Sequence, residues 1–307
     1  MGSTLVSAMD PIFYRWHRHI DDIAAAFQEK QATWNASDWD SHFSHGVQLK
    51  NISIVPQTEF NDAVHAGSPT NVLHTRLEER EFILQNGSAL TVTYLTHDHW
   101  TYEIKLENLH DRATPVTVRI FLIHKTLLSR PSNESRRFWI EMDTFIVDAP
   151  PGSSTVSRNS RQASVAKKRT DGFAEISPSL LTEIDNIPPV ENWCDCGLPY
   201  HLLLPSGDPA PAEPNFQMLV LLTEGADLAN LENKCGSFRF CGATGSIRSG
   251  KRHPDRQPMG FPFHRPEALE TLQLRAPNSP FFLVNLTIKH ITVPSSPAFP
   301  ASSSSLP

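Results

Sequence analysis

Histidine offers this chain its widest range of chemistry, and three placements among the fourteen could bear on metal binding. His17 lies within Asp10 to Ile23, DPIFYRWHRHIDDI. A helix there sets it one turn after Phe13 and one turn before Asp21. Two readings stand: a half-buried imidazole paired with Asp21 at i,i+4, or a metal ligand whose second ring nitrogen is oriented by a carboxylate or a carbonyl. His19 cannot serve the same ion, because residues two apart on a helix point about 200° apart. Thr96-His97-Asp98-His99 is the second placement. If one strand runs through it, both imidazoles share a face, with Asp98 opposite; the alternative is a polar hairpin tip. His42 and His45 fall in a predicted loop and read as surface. No H-x-x-x-H pair exists to set two ligands on one helix face, and neither a nucleophile elbow nor a glycine-rich phosphate loop is present.

The four cysteines form two close pairs, Cys194 with Cys196 and Cys235 with Cys241. C-x-C with C-x5-C fits a zinc ribbon poorly, so disulfides are the better expectation, with plain thiols in a reducing compartment.

The elements that must position these groups are legible from periodicity. Asp10 is a good N-cap, and Pro11 suits the first helical position. Ile12, Trp16, Ile20, Ile23 and Phe27 recur at three and four, which predicts a stripe facing a core with Arg15, Arg18, Asp22 and Lys30 toward water. Gln31 to His45 reads as a polar connector anchored by Trp34 and Trp39. Beyond it come short strands. Leu90, Val92 and Tyr94 alternate with polar residues, as do Trp100, Tyr102, Ile104 and Leu106, then Val116, Val118, Ile120 and Leu122. Further strands are expected at Val47 to Val55, Arg80 to Leu84, Phe138 to Val147, Ser154 to Arg158, His201 to Leu204, Phe216 to Thr223, Phe238 to Cys241 and Phe282 to Val293. Many short strands between turn residues predict a mainly β chain folded as an antiparallel β-sandwich. Arg158 to Val190 and Gly242 to Pro258 read as loops laid over it. The run Lys167-Lys168-Arg169 reads as solvated surface, and 294–307 as a disordered Pro/Ser tail.

At 307 residues, 39% hydrophobic and 20% charged, the composition is that of a globular chain with one large or two small domains. A net charge of −6 gives no reason to expect nucleic acid. No apolar run reaches the length of a membrane span, no basic stripe suggests a membrane surface, and no signal peptide is seen, which leaves the compartment open. Sequons at Asn35, Asn51, Asn86, Asn133 and Asn285 matter only on a secretory route.

Several of these stretches carry a family resemblance. DPIFYRWH and the residues leading into it resemble the segment that supplies the third histidine of the second metal site in arthropod hemocyanins and phenoloxidases. RIFL at Arg119 to Leu122, FWIEMDTF at Phe138 to Phe145, CDCGLPYHLLLPSG at Cys194 to Gly207 and MGFPF at Met259 to Phe263 are similar to that family's motifs, in its order and at roughly its spacing. The resemblance implies that 1–30 holds the last helix of a dinuclear-metal four-helix bundle. It implies that 31–293 form an immunoglobulin-like sandwich with long loops. It also implies His17 as a metal ligand with Asp21 behind it, and disulfides Cys194 to Cys235 and Cys196 to Cys241, each closing a loop of about 40 residues and contributing about 3–4 kcal/mol if unstrained. The family holds two ions with six histidines, of which this chain carries the last. His264 stands where the family usually has an aspartate after MGFPF, so an ionic contact there would be absent or inverted.

Four activities are compatible with the resemblance: a copper phenoloxidase, an oxygen carrier, a storage protein, and the fungal hemocyanin-like cyclopenases, which convert cyclopenin-type benzodiazepinediones to viridicatin-type quinolones with zinc. The Ser/Pro-rich end, His264, the Thr126 to Arg136 loop and the Gly242 to Arg252 insert depart from the arthropod pattern and favour the last. Zinc suits it, because ring contraction of an epoxide needs a Lewis acid and no change of oxidation state. The expectation is a zinc enzyme, with copper as the alternative, acting on a small aromatic substrate, without nucleic acid or membrane, and with self-association allowed.

Overall fold

The computed structural model describes residues 10–34, 44–57, 69–83, 88–166, 198–225, 255, 257, 260–266 and 281–292. One long helix, α1 (Pro11–Gln28), precedes nine strands: β1 (Val47–Gln57), β2 (Val72–Ile83), β3 (Ala89–His97), β4 (His99–Asn108), β5 (Thr114–His124), β6 (Ile140–Ala149), β7 (Gly152–Asn159), β8 (Phe216–Glu224) and β9 (Phe281–His290). Two single-turn helices, α2 (Lys125–Leu128) and α3 (Ser132–Ser135), link β5 to β6. The strands form a three-stranded sheet, β1-β4-β7, and a six-stranded sheet, β3-β2-β9-β8-β5-β6. All pairings are antiparallel except β2 with β9, which run parallel over Val72–Thr75.

The alternating residues fill the space between the sheets. Trp100, Tyr102, Ile104 and Leu106 of β4 meet Val116, Val118, Ile120 and Leu122 of β5 in one buried cluster. β1 contributes Val47 and Leu49, then Ile52 and Ile54. That set breaks the two-residue period by one position, and a bulge between Leu49 and Asn51 absorbs the extra residue so both halves face inward.

β5 is buried on both faces, which alternation alone did not predict. On its outer side Trp34, Phe121, Leu219, Leu221, Phe261 and Phe281 form a second cluster, closed by Trp34 Nε1–H donating to the Pro262 carbonyl at 3.2 Å. Arg119 lies beneath it with no exposed surface. Its guanidinium donates to both oxygens of Asp255, at 2.6 and 2.7 Å, and sits 5.4 Å from the Phe261 ring centroid. Thr223 Oγ1 and the Gln257 amide also donate to Asp255. Burial alone would raise the Asp255 carboxyl, but Arg119 and these donors hold it below the ordinary carboxylate range.

Several expectations are corrected here. His201 to Leu204 is no strand, because Tyr200–Leu202 turns as a 3-10 helix. β2 starts at Val72, well before Arg80. His97 and His99 form neither one strand nor a hairpin tip: Asp98 is the corner at which the chain leaves the six-stranded sheet for the three-stranded one. Trp34 is an anchor at 3% exposure. Trp39, the strand expected at Phe238 to Cys241, the basic run, the Pro/Ser tail and all four cysteines, with the disulfides expected of them, lie outside the described residues.

Truncating Arg119 to Ala should cost about 3–5 kcal/mol in denaturant unfolding, since it strands a buried carboxylate. The Asp255 contribution is fully present above the unfolded aspartate pKa of about 3.9 and is lost as pH falls through its lower folded value. Asp255→Asn should therefore flatten the acid limb of the stability profile, and an unchanged acid limb would contradict the pairing.

Candidate functional site

Asp10 caps α1, its Oδ1 accepting from the Ile12 amide at 2.9 Å, and Pro11 opens the first turn. The expected core-facing stripe is corrected: Ile12, Trp16, Ile20, Ile23 and Phe27 are 48–66% exposed, and Ala25 is the helix's buried residue. At roughly 100° per residue the stripe lies on the side opposite Ala25, so α1 docks by its polar face and turns its apolar face away from the sandwich.

Two arginines between α3 and β6 cause this. Arg136 is 4% exposed and donates to Gln28 Oε1 and to the Phe263 carbonyl, both at 2.8 Å, and to Glu29. Arg137 donates to Asp22 at 3.0 Å and to Asp21. Hydrogen bonds to Asp22 and Asp21 raise the Arg137 pKa, and Arg137 in turn lowers that of Asp22. Phe263 stacks on Trp139 at 5.2 Å and 8° and meets Phe121 edge-on. The C-terminal half of α1 is therefore tied to the second core cluster, while its first three turns reach beyond it.

His17 sits on that part of the helix, exposed. Its Nδ1 lies 2.7 Å from the Phe13 carbonyl oxygen, and its ring rests against that of Phe13 at 4.0 Å. A carbonyl only accepts, so Nδ1 carries a proton, and in the neutral ring the lone pair falls on Nε2. That is the form a metal-ligating histidine takes when a carbonyl orients its other nitrogen. The expected pairing of His17 with Asp21 is corrected: Asp21 turns to Arg137, whose guanidinium is a permanent charged donor.

The corner at Asp98 is saturated. His97, 3% exposed, has Nδ1 and Nε2 each 2.8 Å from a carbonyl oxygen, of Asp98 and Tyr200, and burial pushes its pKa down. His99 stacks on Tyr200 at 5.2 Å, meets the Tyr200 hydroxyl at 2.6 Å through Nδ1, and faces Arg161 at 3.0 Å through Nε2. Asp98 accepts from His74 at 3.0 Å and from Arg76 at 3.4 Å. A carbonyl oxygen blocks each nitrogen of His97, and Tyr200 and Arg161 occupy those of His99, so neither ring opens toward an ion. Among the described residues no group of three or more His, Cys, Asp or Glu side chains could hold a metal. Likewise, no described helix is long and apolar enough to cross a membrane. His45 uses its carbonyl to accept from His110, His42 lies outside the described residues, and His264 packs edge-on against Trp34 at 5.2 Å. Sequence reasoning missed Arg136 and Arg137; their sole signal was a charged pair directly before FWIEMDTF.

The immunoglobulin-like domain of hemocyanin, as a family, matches residues 44–290. The chain belongs to the hemocyanin family. This hemocyanin-family chain is 31% identical to the hemocyanin G chain of Aphonopelma sp., over 95% of itself and 45% of that protein. It is 29% identical to phenoloxidase 2 of Holotrichia diomphalia, over 89% of itself and 40% of that protein. Its fold superposes on scorpion hemocyanin in the activated state with a TM-score of 0.69 and 28% identity, over 92% of this chain and 44% of that one. A zinc structure of AsqI shares the fold alone, with a TM-score of 0.61 and 18% identity, over 92% and 45%. The chain thus spans less than half the length of the curated relatives it matches.

Arg136→Ala should cost about 2 kcal/mol by removing a charged donor from the half-buried Phe263 carbonyl. Arg137→Ala should leave the unfolding midpoint nearly unchanged and speed amide exchange across Arg15–Asp22. Equal effects of the two variants on global stability would contradict a buried anchoring role for Arg136 and a more exposed one for Arg137.

Proposed function

We propose that this hemocyanin-family chain supplies a sandwich and one ligating helix to a metal-dependent enzyme, with His17 as a ligand and the remaining ligands on helices outside these 307 residues. The observation that carries this reading is the His17 ring itself: an imidazole with Nδ1 fixed by the Phe13 carbonyl and Nε2 left uncommitted at the edge of a helix stripe that faces away from its own sandwich. An apolar stripe this exposed is a packing face, and further helices laid on it would bring their own side chains beside His17. The relatives' greater length gives room for such helices.

We assign the reaction to the cyclopenase type, zinc-dependent conversion of a small aromatic benzodiazepinedione to a quinolone. When bound, zinc would act as a Lewis acid on a substrate oxygen. The chain's own part is positional. Phe13 holds the ligand tautomer, Arg136 fixes the root of α1, and Asp21 acts through Arg137 by setting the helix's direction. A copper phenoloxidase is the second reading, favoured by the likeness to phenoloxidase 2.

Metal analysis of the purified protein, in the full length of its transcript, separates these. Zinc in the wild type, its loss in His17→Ala, and a fluorescent quinolone from cyclopenin are the expected results. Copper with catechol oxidation would favour the second reading. Full metal content in His17→Ala would overturn the ligand assignment itself.

A further inference from the structure

His97 is a buried base with two acceptors in front of it and, when neutral, a single proton. At 3% exposure, its Nδ1 and Nε2 each lie 2.8 Å from a carbonyl oxygen, of Asp98 and of Tyr200. A neutral imidazole can donate to one of these and must turn a lone pair on the other. The Asp98 contact is local. The Tyr200 contact spans 103 positions and joins the corner between the sheets to the Tyr200–Leu202 turn.

The turn is fixed at one end and open to water at its tip. Leu203 and Leu204 behind it are buried in the core between the sheets, whereas Tyr200 and His201 are half-buried and Leu202 is exposed. Ahead of it, the Leu198 amide donates to the Val165 carbonyl at 2.8 Å. The titratable and charged groups around the His97 ring come from every neighbouring element: His74 and Arg76 from β2, Asp98 at the corner, His99 from β4, Arg161 after β7, and Tyr200 and His201 on the turn itself. Asp98 is already matched by His74 at 3.0 Å and Arg76 at 3.4 Å. The Tyr200 hydroxyl lies 2.6 Å from both His99 Nδ1 and Ser160 Oγ.

We propose that His97 is a proton-operated latch on the Tyr200–Leu202 turn: the neutral ring holds the turn against the sheet corner, and a second ring proton, taken from solvent, releases it. The second carbonyl offers that proton an acceptor, but burial prevails, lowering the ring's pKa against the opposing pull of both carbonyls and of Asp98. A cation enclosed there regains water only when the turn moves away. Because the enclosed ring has the lower pKa, the closed state is fully favoured above the open ring's value of about 6.5 and is lost as pH falls through the closed ring's lower one. Release uncovers the point where the chain passes from one sheet to the other. This inference is independent of the proposed reaction and of His17.

Amide hydrogen exchange of the 307-residue chain, followed from about pH 8 to about pH 5 and corrected for the intrinsic rate, reads the latch. Protection of the Leu202 and Leu203 amides, which donate to the Pro199 and Tyr200 carbonyls, should fall about ten-fold for each pH unit by which enclosure lowers the ring's pKa. The Leu219 and Leu221 amides of β8 should keep theirs. His97→Gln, which can still donate one N–H to Tyr200 but does not titrate, should hold its protection flat, and His99→Gln should retain the fall. Side-chain NMR titration of His97 in the wild type needs no variant and should give a pKa below about 6.5. Protection that stays flat or rises on acidification overturns the proposal, as does a His97 pKa above the ordinary value. So does a fall that persists in His97→Gln or vanishes in His99→Gln, which would assign the response to another group.

Discussion

Arg136 is the constraint on which the arrangement of this protein turns. A guanidinium at 4% exposure must have its donors met, and it meets them by reaching at once to Gln28 and Glu29 of α1 and to the Phe263 carbonyl. Because its partners on the helix are polar, the helix face that approaches the sandwich is polar as well. The apolar stripe must then point the other way, with His17 at its edge.

The support behind Arg136 is layered. Phe263 is held by Trp139 and Phe121, and the loop that carries it is pinned by Phe261 over Arg119 and by Trp34 on Pro262. The Arg119–Asp255 pair is the least forgiving part, since neither ion has solvent to fall back on. Strand β5 links both cores: Val118 and Ile120 face the other sheet, while Arg119 and Phe121 face the loop that anchors α1. The helix is thus referenced to the sandwich interior through two layers of packing.

Much of the sandwich was legible because two-residue alternation reports burial on one face. Trp100 to Leu106 and Val116 to Leu122 lie where that period sets them. It failed where other physics ruled. β5 is covered on both sides, the His201 segment closes a 3-10 turn, and Asp98 turns a corner between sheets that no local pattern marks. Helical periodicity located the stripe on α1 but could not say which way it faces, since direction is set by arginines more than a hundred positions away. For the same reason Asp21 was assigned to its sequence neighbour when a distant cation claims it. The family motifs legible at Asp10, Arg119, Phe138 and Met259 correspond to the helix cap, the buried ion pair, the approach to β6 and the aromatic loop. Within this chain they mark structural support as much as chemistry.

What the chain brings to function is a prepared imidazole on a braced helix. A histidine free in water settles on Nε2 for its proton, so the Nδ1-protonated form of His17 requires the Phe13 carbonyl. Long-range nitrogen–proton NMR of the histidine side chains tests this most directly. The neutral His17 ring is expected to carry its proton on Nδ1 and leave Nε2 bare, and to revert when α1 is broken mid-helix by Trp16→Pro. A His17 ring protonated on Nε2 in the intact protein would contradict it.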